Sequence, residues 1–400
     1  MTCIFTLNGG SSSIKFSVYD TAQGLTERAS GKVDELGSDS GRLVFHDGRD
    51  SRENKLGKVD HEGAMAAIID AVRPVLDGRQ IAGIGHRIVH GGPEIDRPVT
   101  LDKAMLTRLE RYIPFAPLHQ PFNLQGVRAA MKHLPDVPQI GCFDTAFHRG
   151  HPWVNDTFAL PRRYYDAGIR RYGFHGLSYT YIADRLSLID HGGRGRAVVA
   201  HLGNGASICA IEDGAPVAST MGFSALDGLA MGTRCGQIDP GVILYMADEE
   251  GLTTAEITRI LYKESGLLGL SGISSDMRAL EDSDRPEAAQ AITYFVSRIR
   301  RELGAMAACL GGIDTLVFTG GIGENSATIR NLVCEDMEWL GITLDQAGNK
   351  RNDPVISTGD VVVRVIPTNE ELVIAEGVAS LLPPPVRREA AVSATAARHH

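Results

Sequence analysis

The chain has 400 residues, 43% hydrophobic and 22% charged, with a formal net charge of −9; this globular composition suits two domains. No dense Lys/Arg run marks a nucleic-acid face, and no apolar stretch approaches the roughly 20 residues that span a bilayer. The start, MTCIFTLNGG, lacks the charged head and apolar core of a signal peptide, so a cytoplasmic protein without nucleic-acid or membrane partners is expected.

In chain order, residues 4–20 (IFTLNGGSSSIKFSVYD) predict a strand, a glycine turn and a second strand. A polar β-segment is expected over 29–60, a helix over 62–76, a buried strand over 81–92, a helix over 102–112, a loop over 114–123 and a helix over 123–133. The strand QIGCFDTAFH at 139–148 closes the first half. The second half opens with AVVAHLGNGASICAIEDG at 197–214, again strand, glycine turn, strand. Helices through 240–310 follow, then a strand at 315–321, a strand at 361–367 and a helix at 371–381. At an offset of 194 residues Gly9 matches Gly203, Ser13 matches Ser207 and Ile14 matches Ile208, which suggests two related α/β domains gripping one nucleoside triphosphate. Residues 386–400 read as a disordered tail.

Along the second strand Ile14, Phe16 and Val18 share one face, and Ser13, Lys15 and Ser17 the other. A lysine and hydroxyls beside a glycine turn are phosphate-binding chemistry, although a solvated surface hairpin reads equally well and the Walker spacing is absent. The run FTGGIGENS at 318–326 reads as a tight strand-to-helix connection able to receive a nucleoside, with its helix expected over 327–332. Arg87 in GHRIVHGG and Arg234 in MGTRCGQIDPG sit among small residues and point to anion binding. His119 in APLHQP, His175 in YGFHGLS and His201 in HLGNG are further candidates, and His175 has Gly173 and Gly176 to admit a ligand. Asp144 ends a strand and suits proton handling or a metal-bound water. Of Glu370 and Glu371, one suits a Mg²⁺ shell and the other a helix cap. Six scattered cysteines contain no CxxC pair, which argues against a zinc site or redox dithiol and predicts reduced, buried thiols.

Nine motifs then stand in order: TLNGGSSSIK, GHRIVHGG, APLHQP, FDTAFH, YGFHG, HLGNGAS, STMGFSALDGLAMGTRCGQIDPG, FTGGIGENS and PTNEELVIA. Together they resemble the acetokinase family from about Ile4 to Leu381. The resemblance implies two duplicated RNase H-like, actin-like ATPase domains with the active site in the interdomain cleft. The lobes would be 1–148 plus 372–385 and 149–371, in a homodimer. It implies reversible transfer of the ATP γ-phosphoryl group to acetate, giving acetyl phosphate and ADP. Asn8 and Glu370 would bind Mg²⁺, with Mn²⁺ an alternative. ATP would meet Ser11, Ser13, Lys15, the loop His201, Leu202, Gly203, Asn204 and Gly205, then Asp276, Met277 and Arg278, and the run Gly321, Ile322, Gly323, Glu324 and Asn325. Arg87 and His119 would hold the substrate, with Val89, Leu118 and Phe174 around its methyl. Asp144, His175 and Arg234 would be catalytic.

The chain departs from the family pattern where Gly10 and Gly320 replace alanines, changes expected to be mild, and where Ala225 replaces a proline beside the acyl pocket. The last leaves a propionate or short-chain acyl kinase as the alternative. An actin- or Hsp70-like ATPase would leave Arg87 and His119 without a purpose, and a dehydrogenase would need a GxGxxG run that is absent. A small carboxylic acid titrates at about pH 4–5 and is ionised at neutrality, so no general base is needed. Asp144 is therefore expected to orient an arginine or a metal-bound water.

Overall fold

The structure is a computed structural model that describes residues 2–10, 12–22, 24–189 and 195–383. Ser11 and the 386–400 tail lie outside the described residues. The first sheet contains β1 (Thr2–Gly9), β2 (Ser13–Asp20), β3 (Thr26–Asp34), β4 (Arg42–His46), β5 (Ser51–Lys55), β6 (Gln80–Ile88), β7 (Val99–Thr100) and β8 (Gln139–Phe143). The second contains β9 (Arg196–Leu202), β10 (Ala206–Glu212), β11 (Ala215–Ser219), β12 (Thr315–Thr319) and β13 (Val362–Val365).

The strand orders are β5-β4-β3-β2-β1-β6-β8-β7 and β11-β10-β9-β12-β13. The inner strands β3-β2-β1-β6-β8 repeat the second sheet's order, with the same sense at every step. Two antiparallel pairings come first and two parallel pairings follow. The fold is therefore duplicated.

Each sheet is covered on both faces. Helix His61–Leu76, capped by the Asp60 carboxylate accepting from Gly63 N–H, turns Ala64, Met65, Ile68 and Val72 inward at helical spacing. They join Phe5, Phe16, Val18 and Ile84 in one core. Helix Pro286–Leu310 starts on a proline and ends at Gly311, whose φ of 68° is left-handed. Its stripe of Phe295, Ile299 and Leu303 packs on Val198, Ala200, Ile208 and Phe318. The other face of that sheet, Val199, Cys209, Ile211 and Val317, meets helix Gly176–Ile189.

Helix Glu370–Leu381, the last among the described residues, returns to the first sheet and lies on β1, β6 and β8. It comes so close to Gly85 that a Cβ there would stand 2.3 Å from Ile374 Cγ2. Only a residue without a side chain permits that approach. The same helix corrects the expected polar face of β2, because Ser17 and Tyr19 are buried (3% and 2% exposed).

Other expectations shift in detail. The strand over 81–92 stops at Ile88, because the next backbone N–H groups donate to side chains: Val89 to Asn123 Oδ1, His90 to Gln120 Oε1 and Gly91 to Thr145 Oγ1. The helix expected from 123 begins at Gln120, with Pro121 in its first turn. Cys235 is half-buried and Cys309 exposed, so burial of all six thiols does not hold.

Candidate active site

Two adjoining hollows share Gly203, Asn204 and Gly321. The smaller, about 350 Å³, is polar. From the first sheet come Asn8 and Lys15, directly paired across β1 and β2, and Arg87 from β6. The second half supplies His175, His201 and Gly205. Glu324, Thr368, Glu370 and Glu371 complete it. The larger, about 680 Å³, is lined by Asp276, Met277 and Arg278 on one side and Gly321, Ile322 and Asn325 on the other. Ser275, Glu281 and Ser326 also line it.

Arg87 is held like a bracket. Its Nε donates to both Asp144 carboxylate oxygens (3.0 and 3.2 Å) and Nη2 donates to Oδ2 (2.7 Å), while Nη1 pairs with Glu370 Oε2 at 3.1 Å. A guanidinium has five N–H groups. Nε–H and one Nη2–H are used by Asp144, so the Nη1 N–H groups and the second Nη2–H are left to form the fork that matches a carboxylate or phosphoryl edge. Asp144 follows β8 directly and is 1% exposed. Burial pushes its carboxyl up from the ordinary value, while Arg87 pulls the other way. Burial works against the Arg87 charge, but the neighbouring carboxylates outweigh it and raise its pKa, so the guanidinium keeps its proton.

His175 adopts φ 55°, an αL conformation that few non-glycine residues take. Its Nδ1 meets Ser207 Oγ at 2.9 Å, and Ser207 Oγ also meets the Tyr179 hydroxyl. With Tyr179 donating to Ser207 and Ser207 to Nδ1, the network is satisfied and Nε2 carries the proton. Burial first, then His201, Arg87 and Arg234, holds the His175 pKa well below the ordinary value. The ring is thus a neutral N–H donor at pH 7. It stacks on His201 at 4.3 Å, whose Nδ1 is fixed by Ser178 Oγ.

A methyl on Gly205 would lie 3.3 Å from His175 Nε2 and 3.8 Å from Arg234 Nη1, so both groups flank one point. Arg234 donates to the Ala225 carbonyl at 2.9 Å, and no ion pair among the described residues involves it. Burial lowers its pKa, with Arg87 contributing in the same direction. His119 stands near both arginines, and burial followed by their charges brings its pKa down to about 4. Val89, Ala116 and Phe174 belong to one apolar cluster, against which the partly buried Ala225 packs.

Some expected residues stand elsewhere. Leu118 is half-buried and outside the apolar clusters, and Leu202 turns its side chain into the core. Ser13 and Gly323 line neither hollow. Asp276 caps the short helix Met277–Glu281 by accepting from Arg278 N–H at 3.0 Å.

Three expectations are corrected. The run Gly320–Asn325 is itself a helical turn starting at the end of β12, with a further helix over Ala327–Cys334. Gly320 has φ 76°, and a Cβ would stand 2.7 Å from the Leu202 carbonyl, so an alanine there is not a mild change; at Gly10 the nearest atom would be at 3.4 Å. Neither Glu370 nor Glu371 caps the last helix, because Asn369 Oδ1 accepts from Leu372 N–H at 2.9 Å. Ser207, Tyr179, Ser178 and Thr368 were not singled out by the sequence. Only Ser207 carries a signal, its place in the repeated glycine turn.

The profile of the acetokinase family matches residues 3–376. A protein named acetate kinase from Methylocella silvestris is 52% identical over 398 residues, covering 95% of this chain and 98% of that protein. One of the same name from Rhizobium meliloti is 46% identical, covering 96% and 100%. A propionate kinase structure from Francisella tularensis superposes with a TM-score of 0.91 at 34% identity, covering 96% of this chain and 100% of that one. The acetate kinase structure from Porphyromonas gingivalis gives 0.85 at 38%, covering 95% and 99%.

Proposed function

Because the chain belongs to the acetokinase family and has its duplicated actin-like ATPase fold, we propose that it transfers the γ-phosphoryl group of ATP to acetate, reversibly, giving acetyl phosphate and ADP. The observation that carries this reading is the pair of guanidinium groups around the small hollow. Arg87 is locked by Asp144 with its fork free, and Arg234 has no carboxylate partner among the described residues.

In this scheme the Arg87 fork grips the substrate carboxylate and the Val89–Phe174 wall receives its methyl. A carboxylate oxygen forms the new bond to the γ-phosphorus, and the bond from that phosphorus to the bridging oxygen of ADP breaks. Phosphoryl transfer depends on positioning and charge neutralisation. Arg234 and the His175 Nε2–H, side by side at Gly205, answer the charge on the transferring group. Lys15 and the 203–205 turn hold the phosphates, and the 276–278 and 321–325 segments hold the nucleoside. Asp144 acts as a positioning residue for Arg87.

Asn8 and Glu370 would hold Mg²⁺, with Mn²⁺ as a substitute, since both offer hard oxygen donors to the hollow. Burial and the neighbouring Glu370 push the Glu371 carboxyl up, the mark of two carboxylates that a cation would relieve. When bound, the ion neutralises phosphate charge.

The lobes would divide as 1–148 with 372–385 and 149–371, closing over the nucleotide to exclude water. The protein would work in the cytoplasm as a homodimer. The helix Pro240–Asp248, sequence PGVILYMAD, buries none of its residues, with Leu244 62% and Tyr245 56% exposed, and suits the dimer face. No described helix is long and apolar enough to cross a membrane.

Acyl hydroxamate formation from ATP, Mg²⁺ and acetate, propionate or butyrate is the test. The expected result is a kcat/KM highest for acetate, with slow ATP hydrolysis in its absence. A propionate preference would move the substrate to the alternative reading, and rapid acid-independent hydrolysis would defeat the kinase reading.

A further inference from the structure

One layer behind His175, three donor groups meet that the proposed reaction does not use. His148 lies in the 3₁₀ turn Phe147–Gly150, and His151 is the residue that ends it. Three residues per turn bring positions i and i+3 to the same side. Cys209 arrives from β10, 58 positions after His151, because β11 packs that turn against the second sheet. One ligand atom from each residue, two imidazole nitrogens and one sulfur, all lie within 4.8 Å of one another.

Three of the four ring nitrogens lack partners. His148 is 0% exposed, and its Nε2 pairs with the Phe174 carbonyl at 2.8 Å. A carbonyl only accepts, so Nε2 carries the ring proton and Nδ1 presents a bare lone pair. That Nδ1 has no hydrogen-bond partner, and neither ring nitrogen of His151 has one, although all three are shielded from solvent. Each such buried orphan is costly unless a partner arrives. The Cys209 thiol has only a 3.6 Å contact to the Ala210 carbonyl.

We propose that His148, His151 and Cys209 form a binding site for a single thiophilic d¹⁰ cation of the Cu⁺ or Zn²⁺ class. Imidazole and thiolate donors select such ions, whereas the oxygen donors at Asn8 and Glu370 suit Mg²⁺. On binding, the Cys209 S–H bond breaks, its proton goes to solvent, a metal–sulfur bond and two metal–nitrogen bonds form, and no oxidation state changes. Burial holds both imidazoles neutral and pushes the thiol up, so the empty site carries no charge. With the thiolate, Cu⁺ leaves the site neutral and Zn²⁺ leaves one positive charge. Arg149 stands close to both imidazoles. Its partial balance by Asp156 at 3.4 Å makes the neutral product the better one. Ligand atoms around such an ion are about 3.3–3.8 Å apart, so the site closes by roughly 1 Å.

The test uses the full-length protein, stripped with chelator under reducing conditions, then dialysed against Cu⁺ or Zn²⁺ with a competing chelator. Metal per chain is counted by mass spectrometry for wild type, Cys209→Ala, His151→Gln and Cys309→Ala, the last removing the exposed thiol. Wild type and Cys309→Ala should bind one equivalent, with Cu⁺ the tighter. Cys209→Ala and His151→Gln should bind at least tenfold more weakly. Cobalt loading should give a near-ultraviolet sulfur-to-metal band that Cys209→Ala abolishes. Should Cys209→Ala fail to fold, His151→Gln decides. No stoichiometric binding to wild type, or unchanged affinity in His151→Gln, would overturn the proposal and leave a water as the occupant.

Discussion

Replacing Asp144 by asparagine separates an orienting carboxylate from a proton acceptor. The substitution keeps the shape and removes the charge. An amide can offer its oxygen to one guanidinium N–H, but its NH₂ would face the other donor. Of the contacts at 2.7–3.2 Å between Asp144 and Arg87, about half survive. Charge-assisted bonds are worth roughly 1.5–3 kcal/mol each, so their loss and the freed guanidinium cost about 3–4 kcal/mol of orientation. That is a fall of about 10²- to 10³-fold in kcat/KM for acetate. Stability should drop by less than the roughly 3–5 kcal/mol of a broken buried pair, since Glu370 still meets Arg87 at 3.1 Å. The hydroxamate assay from pH 5.5 to 8.5 should give a profile of unchanged shape, lowered throughout. Arg87→Ala with Asp144→Asn should be no slower than Arg87→Ala alone, because the carboxylate works only through the guanidinium. Additive losses would refute the reasoning. So would a large solvent isotope effect that is present in the wild type and lost in Asp144→Asn.

Gly320→Ala should destabilise by about 1–2 kcal/mol in urea and raise the KM for ATP, because it forces a methyl against the Leu202 carbonyl in a left-handed backbone; Gly10→Ala should change neither measurably. Acid should unfold the protein early. Burial lowers His86 to about 4 and His90 to about 3, and His148 well below the ordinary value. The unfolded chain binds these protons below about pH 6.5 and the folded one does not, so stability is lost as pH falls from there toward 4. At pH 5.5 the three should take up between two and three protons on unfolding and cost a few kcal/mol relative to pH 7, as urea titrations at both pH values would show. Leu244→Glu should halve the mass seen by sedimentation and lower the unfolding midpoint, because association stabilises the folded state. A wild-type monomer would remove the helix Pro240–Asp248 from consideration as an interface.

The repeated hairpin is legible in the sequence because Gly9 and Gly203 sit in the same strand context, and the structure gives both sheets one topology around those turns. Arg87 and Arg234 stand out by being cations among glycines. What surrounds them is less visible. The helix Gly176–Ile189 reads weakly, since Tyr179, Thr180 and Tyr181 are poor helix formers, and Ser178 and Tyr179 serve polar contacts to His201 and Ser207. The partners of Arg87 lie 57 and 283 positions away, Asp144 and Glu370, and only the sheet order and the returning helix unite them. The local spacing that disfavours a CxxC metal site says nothing of His151 and Cys209, which tertiary packing alone makes neighbours.

The returning helix also makes completion of the first lobe wait for a segment synthesised long after its strands. The first sheet is complete once residue 143 has emerged from the ribosome, yet one of its faces stays bare until the 370–381 segment arrives. Because that segment also brings Glu370 to Arg87, a nascent or prematurely terminated polypeptide is left with an unshielded apolar surface and an unfinished guanidinium clamp, prey for chaperones and proteases rather than a leaky ATP consumer.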